Sequence, residues 1–331
     1  MDVRIRDGIS RSGVQAIEEE NETAPLFESR NATMIALLET VKRAATADTT
    51  ILLTGESGTG KDVLARQIHR WSHRRDRPFV VINCASLADQ LLENELFGHV
   101  RGAFAGAVND KPGCLQAGDG GTVLIDAISE LIPSLQVKFL SFVQECSFRR
   151  IGSSGTISVD VRLLAASNQD LEAEVRAGRF REDLYYRLNV IAFTLPPLRE
   201  RVQDILPLAQ KLLKKISFKA GRSQLTLSEN AAATLTAYRW PGNLRELHNA
   251  LEHAATLAPT DIITYHDLPN SVRHPAPPTF APITHGPRLK DFEREHIMRV
   301  IAESPTLEQA AAKLGINVTT LWRKRREHGL G

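Results

Sequence analysis

The chain has 331 residues, of which 42% are apolar and 24% charged, enough for two or three domains with full cores. No apolar run approaches the length that crosses a bilayer, which argues against a membrane partner. A net charge of +2 argues against a uniformly basic nucleic-acid binder, so local charge has to carry any such role. Cys84, Cys114 and Cys146 are odd in number and lack ligand-like spacing. They read as buried or free thiols of a reducing compartment. The charged N-terminus, residues 1–7, has no hydrophobic signal region, so a cytoplasmic location is expected.

Residues 1–25 are polar and aperiodic and are expected to form a flexible arm, with an acidic patch over residues 18–22. Met34, Leu37, Leu38, Val41 and Ala44 recur at helical spacing, which predicts an amphipathic helix. An apolar, β-prone run over 50–54 then leads into Gly55-Glu56-Ser57-Gly58-Thr59-Gly60-Lys61-Asp62 and a second helical pattern over 63–69. A strand, a glycine-rich turn and a helix N-terminus in that order make a phosphate cradle. The glycines let successive N–H groups converge, and the helix adds its positive end. Lys61 supplies a mobile cation for the β- and γ-phosphates. Asp62 stands where the strict pattern has a magnesium-binding Ser or Thr.

Further strands are expected over 78–84, 120–126, 159–166 and 190–195, with helical patterns over 87–96 and 135–143 between them. Strands alternating with helices predict an α/β fold, a parallel sheet covered on both faces. Asp126 ends one strand, and at the carboxyl end of a parallel strand beside a phosphate loop an Asp can hold magnesium. Ser167 and Asn168 end the next strand. Between the second strand and its successor lies Gly102-Ala103-Phe104-Ala105-Gly106-Ala107; by local chemistry alone it reads as a tight turn with a buried Phe.

From residue 204 the pattern is helical only, broken at Trp240-Pro241-Gly242-Asn243, which predicts a small helical domain over 204–269. Five prolines mark 270–288 as a semi-extended linker. Helical patterning resumes over 289–331. There an Ala-rich helix, Gly315 for a left-handed turn and Asn317 as a cap precede Leu321-Trp322-Arg323-Lys324-Arg325-Arg326. This predicts a helix-turn-helix. Leu321 and Trp322 are expected to anchor the second helix, and Thr319, Thr320, Arg323 and Lys324 to project from it toward double-stranded DNA.

Together these motifs resemble the bacterial enhancer-binding proteins, AAA+ ATPases that activate sigma-54 RNA polymerase, and the resemblance covers residues 26–331. It implies an α/β AAA+ P-loop subdomain over 26–203, a helical lid over 204–269 and a C-terminal all-α Fis-type helix-turn-helix. Residues 55–62 resemble the family's Walker A loop, where an acid after the lysine is usual. Residues 102–107 resemble its GAFTGA loop, which implies a surface element touching sigma-54 and replaces the local reading of a buried turn. Asp126 matches the Walker B aspartate, Asn168 sensor I, Arg181 and Arg187 the two arginine fingers, and Arg245 the sensor II arginine of the lid. No receiver domain precedes the ATPase in this sequence, so a switch by phosphorylation of one is not expected.

The resemblance implies ATP and Mg as ligands, a ring of subunits with each ATP at an interface, and remodelling of the closed promoter complex. Two departures qualify it. Ala127 stands where the family's water-activating Glu follows the Asp, and Asn83, which resembles that Glu's switch partner, has lost it. Ala105 replaces the loop threonine. Glu130 is the alternative base, although residues past a strand end are expected to leave in another direction. The leading expectation is therefore a sigma-54-interacting, ATP-binding, DNA-binding regulator with impaired hydrolysis. Its rival is a DNA-binding regulator using ATP only as an assembly ligand, without sigma-54 or in mixed rings with an intact paralogue. A remodeller of non-transcription clients is disfavoured by the recognition helix and the loop.

Overall fold

The computed structural model describes residues 14–16, 28–222, 224–274, 297–298, 300–301, 304 and 306–327. They fall into two compact units divided after residue 275.

The first unit is built on one sheet. In chain order its α/β part runs β1 (Val14–Ala16), α1 (Ala32–Ala45), β2 (Ile51–Thr54), α2 (Lys61–Trp71), β3 (Phe79–Asn83), α3 (Asp89–Phe97), β4 (Gly98–His99), β5 (Lys111–Pro112), α4 (Cys114–Ala117) and β6 (Thr122–Asp126). It continues with α5 (Pro133–Glu145), β7 (Ser147–Arg149), β8 (Thr156–Ser158), β9 (Arg162–Ser167), α6 (Leu171–Arg176), α7 (Glu182–Leu188) and β10 (Ile191–Thr194). The sheet order is β1-β3-β6-β9-β2-β10. The five inner and C-terminal strands are parallel, and β1 joins the β3 edge antiparallel. The five expected strands are all present.

Alternation along the strands explains the two cores. Ile51 and Leu53 of β2, with Leu124 and Leu164, face one side and pack on Val41, Leu64 and Ile68 of α1 and α2. Leu52, Val123, Ile125 and Leu163 face the other and pack on Leu96, Leu135, Phe139 and Leu184. Being covered on both faces, these strands read as continuous apolar runs rather than alternating ones. Helix α1 starts where Asn31 Oδ1 accepts from Met34 N–H at 3.1 Å. It ends where the buried Arg162 guanidinium donates to the carbonyls of Ala45 and Ala44, at 2.5 and 3.2 Å. A cation at a helix C-terminus is the favoured sign there.

Helices α8 (Val202–Lys219), α9 (Glu229–Ala237), α10 (Asn243–Leu257) and α11 (Asn270–Arg273) form the lid, with a short parallel pair β11 (Thr226–Leu227) and β12 (Ile262–Ile263). Trp240 is fully buried at its centre, its indole N–H donating to Leu235 O at 2.8 Å. In the second unit Gly315 is left-handed and Asn317 accepts from Thr320 N–H at 2.7 Å, as expected of the turn. It joins helix Leu307–Lys313 to helix Val318–Glu327.

Three expectations need correction. Val14–Ala16 is an edge strand inside the segment expected to be a flexible arm. An edge strand pairs through its backbone and needs no apolar pattern; the rest of residues 1–27, with the acidic patch, lies outside the described residues. Residues 270–273 are a helix with Val272 buried, not linker, because the prolines begin only at 275; residues 275–296 lie outside the described residues. Trp322 is 60% exposed and does not anchor its helix. Leu321 does, packing with Ile297, Ala310 and Ala311. Cys84 and Cys114 are buried free thiols and Cys146 is an exposed one.

His69 of α2 ties the helix layer to the sheet. Its Nδ1 lies 2.9 Å from Thr122 Oγ1, and its ring tilts against Phe79. Burial pushes its pKa down to about 4. The unfolded chain binds this proton near pH 6.5 and the folded chain does not, so stability rises with pH in between. Acidification from pH 6.5 toward 5 should therefore lower unfolding stability by up to about 1.4 kcal/mol per pH unit, and His69→Gln should flatten that part of a denaturant-melt pH series.

Candidate functional site

The carboxyl ends of the parallel strands bring Thr54, Asn83, Asp126 and Ser167 to one edge of the sheet. There the chain leaves β2 through Gly55, Gly58 and Gly60, all with positive φ. A Cβ at Gly55 would stand 2.8 Å from Leu195 O, and one at Gly58 2.4 Å from Gly242 O. Glycine is thus required both for the curl and for two close backbone approaches.

Lys61, the first residue of α2, turns back over this loop and donates to the carbonyls of Gly55 and Glu56 at 2.7 and 2.9 Å. It is 7% exposed. Burial lowers its pKa, while Asp126 and Asp62 pull the other way. Buried Thr59 closes the loop by donating to Glu56 O at 2.9 Å. Asp62 is exposed in the first turn of α2, where a negative charge favours the helix dipole.

The lid rests on this loop through backbone and side chain. Leu244 N–H donates to Gly58 O at 2.8 Å, and Asn243 Nδ2 to Ser57 O at 3.0 Å. Asn243 Oδ1 accepts from Leu198 N–H at 2.7 Å. Arg245 Nη1 donates to Ser57 Oγ at 2.8 Å. Arg199 forks onto the Glu56 carboxylate at 2.7 and 2.6 Å and holds it below the usual range. Sequence reading placed Glu56 in the loop but missed Arg199 and Asn243. They lie 143 and 187 residues from Glu56, and no spacing rule connects them.

Asp126 is raised in pKa by burial, opposed by the Ala127 N–H that donates to it at 2.9 Å and by Lys61. Its other oxygen accepts from Asn83 Nδ2 at 3.3 Å. Ala127 itself is left-handed, φ 54°. Glu130 points elsewhere, its carboxylate accepting from Gln169 Nε2 at 2.9 Å. Asn168 is exposed and lines a cleft of about 440 Å³ with Gly55, Glu56, Tyr185 and Asn189. The structure thus gathers residues 55–62, Asn83, Asp126, Asn168 and Arg245. Arg181 and Arg187 sit apart, exposed at α7, with the Arg181 guanidinium on Asp183 at 3.0 and 2.7 Å.

Residues 102–107 form a surface loop, exposed at Gly102 and over 104–106 and closed by buried Ala107. Gly102 N–H donates to Ala107 O at 2.8 Å, and Ala107 N–H to Phe104 O at 3.0 Å. Phe104 is 46% exposed, its ring edge-on to His99 at 5.0 Å, so the local reading of a buried Phe is wrong. The β7–β8 hairpin flanks it: Val100 N–H donates to Ile151 O, and a Cβ on Gly152 would stand 2.6 Å from Ala103 Cβ.

A phosphate loop on a parallel sheet, a helical lid seated on it and a separate helix-turn-helix define an AAA+ regulator of transcription. Residues 27–194 match the sigma-54 interaction domain, 199–282 an AAA+ ATPase lid domain, and 288–328 the Fis family of bacterial regulatory proteins. The chain is 47% identical to the alginate biosynthesis regulatory protein AlgB of Pseudomonas aeruginosa, covering 92% of this chain and 68% of that protein. It is 44% identical to the Nif-specific regulatory protein of Azotobacter vinelandii, covering 85% and 54%. The crystal structure of NtrX from Brucella abortus with ADP superimposes with a TM-score of 0.69 at 31% identity, over 92% of this chain and 69% of that one. The chain belongs to the sigma-54-dependent transcriptional activators with an AAA+ ATPase domain and a Fis-type DNA-binding domain. Among the described residues no helix is long and apolar enough to cross a membrane.

The left-handed Ala127 costs about 1–2 kcal/mol. Ala127→Gly relieves this and loses about 0.4–1 kcal/mol to unfolded-chain entropy. Thermal melts should show the variant at least as stable as wild type, by up to about 1.6 kcal/mol.

Proposed function

We propose that this regulator binds ATP at residues 55–62 and holds it with little turnover, using the bound nucleotide to assemble and to present the 102–107 loop to sigma-54. The single observation that carries the impaired turnover is Ala127. A methyl group follows Asp126, and Glu130 is engaged by Gln169. The glycine curl fits a phosphate chain, and Lys61, whose ammonium donates to the carbonyls of Gly55 and Glu56, would exchange those contacts for the β- and γ-phosphates. Nucleotide binding is supported by the NtrX structures with ADP and with ATP. Asp126 is the carboxylate that would hold Mg, and a bound Mg ion would supply charge neutralisation at the phosphates.

In this reading Lys61 and the loop N–H groups orient the phosphates, and Asn168, lining the cleft beside Gly55 and Glu56, serves as the sensor I residue. Arg245 exchanges its Ser57 contact for the nucleotide. Arg181 and Arg187, exposed on α7, serve a neighbouring subunit's site in a head-to-tail ring. Asn83 has no glutamate to restrain and stays on Asp126. Thr319, Thr320, Arg323 and Lys324 contact DNA upstream of promoters, a role that fits a cytoplasmic location. The functional parts follow the boundaries 26–203, 204–269 and 289–331, with the lid drawn on to residue 273.

A second reading, in which ATP is only an assembly ligand and turnover comes from an intact paralogue in mixed rings, rests on the same alanine. Turnover measurements separate the two. A positioned general base is worth about 10²–10⁴-fold, so wild-type turnover should lie that far below the ~1–100 s⁻¹ usual for phosphoryl transfer. Ala127→Glu should recover much of it, while Lys61→Ala should abolish binding of a fluorescent ATP analogue without unfolding the sheet. Wild-type turnover in the normal range would overturn the impaired-hydrolysis reading. If Ala127→Glu stays inactive alone, the mixed-ring reading gains.

The loop has its own test. Burying one aromatic ring is worth roughly 1.5–3 kcal/mol, and the hydroxyl missing at Ala105 about 0.5–1.5 kcal/mol. Co-migration with sigma-54 in ADP and a metal fluoride should be weak but detectable, tightened by Ala105→Thr and abolished by Phe104→Ala. Binding untouched by Phe104→Ala would place the contact elsewhere.

A further inference from the structure

Among the described residues, the exposed tryptophan of the terminal helix pair is not part of the buried cluster. Helix Val318–Glu327 buries Leu321, and Thr319, Trp322 and Arg323 are exposed together at i, i+3 and i+4, one face of the helix. The Trp322 ring is 60% exposed, and the Arg325 guanidinium stands 5.5 Å from its centroid. A cation over a ring face both fixes the ring and keeps positive charge beside it. The same helix carries Arg323, Lys324, Arg325 and Arg326 against the single acid Glu327.

Charge decides which occupant covers this ring. A second copy of the helix would bring like charges together, whereas a polyanion complements them. We propose that Trp322 is a sequence-reading residue that lies against a thymine 5-methyl group in the DNA major groove, a proposal that rests on the DNA-binding reading above. An indole has one donor and is otherwise an apolar plate. The thymine methyl is the apolar group that base edges present in the major groove. Phosphate contacts of Arg323 and Lys324 set affinity and register, and Trp322 adds discrimination between sequences.

The test uses the full chain. Duplexes are selected from a random library at fixed salt, and each thymine of the winning site is then replaced in turn by deoxyuridine, which removes only the methyl group. At one position per half-site the replacement should weaken wild-type binding about threefold to tenfold and leave Trp322→Ala unaffected. Trp322→Phe should keep part of the sensitivity. The salt slope should be the same for wild type and Trp322→Ala, since no charge is removed, while Arg323→Ala should lower it. Equal deoxyuridine sensitivity in wild type and Trp322→Ala overturns the proposal and leaves DNA binding intact. So does a lowered melting temperature, or a weakened self-association, with unchanged discrimination. Absence of any wild-type DNA binding removes the DNA-binding reading together with it.

Discussion

The contact on which the nucleotide site depends is the seating of the lid on the phosphate loop, made chiefly through the loop's own backbone. Gly58 O receives the Leu244 N–H, and Ser57 O receives Asn243. Backbone partners cannot change rotamer, so the loop is shaped from above by α10 as firmly as from below by β2. The approach of Gly242 O to Gly58 leaves no room for a side chain at that point. Trp240, buried five residues ahead of Arg245, fixes the start of α10 in the lid core. The lid's packing is therefore transmitted to Ser57 and Gly58 without an intervening flexible element. Buried Arg201 extends this joint by donating to Thr59 O at 2.7 Å.

The parallel sheet and the helix-turn-helix were legible because their signals are local: apolar runs of strand length, glycines at fixed offsets, a capping Asn317. The phosphate loop was legible for the same reason. The Arg199–Glu56 fork was not, because an ion pair between residues 143 apart leaves no trace in spacing. Val14–Ala16 was missed because edge pairing is a backbone event. The β7–β8 hairpin was missed because Phe148 is its one buried side chain, too little to make a pattern. Trp322 was misplaced by the habit that large aromatics belong in cores. Among the described residues of this unit, Ile297, Val300, Ala310, Ala311 and Leu321 already make the buried cluster.

In the proposed reading Asp126 and Ala127 keep a binding geometry without a carboxylate to activate water. The Asp remains fixed by the Ala127 N–H and by Asn83. The left-handed turn after it is retained even though alanine is poorly suited to it. The turn belongs to the fold, since the residues that follow, Ile128 and Leu131, are buried in the main core. Alanine at this position takes the left-handed backbone route with its small side chain.

The pairing of the 102–107 loop with the β7–β8 hairpin has a further consequence. Ile151 exchanges backbone hydrogen bonds with Val100 and Gly98, and Gly152 lies against Ala103 with no space for a methyl group. The two excursions are a single lever arm with two rails. Helix α5 feeds one rail directly and helix α3 the other, so a tilt of either helix swings Phe104 as part of one body. An insertion in one rail alone would pull apart the Ile151 pairing with Val100 and Gly98, so the two lengths are coupled by those hydrogen bonds.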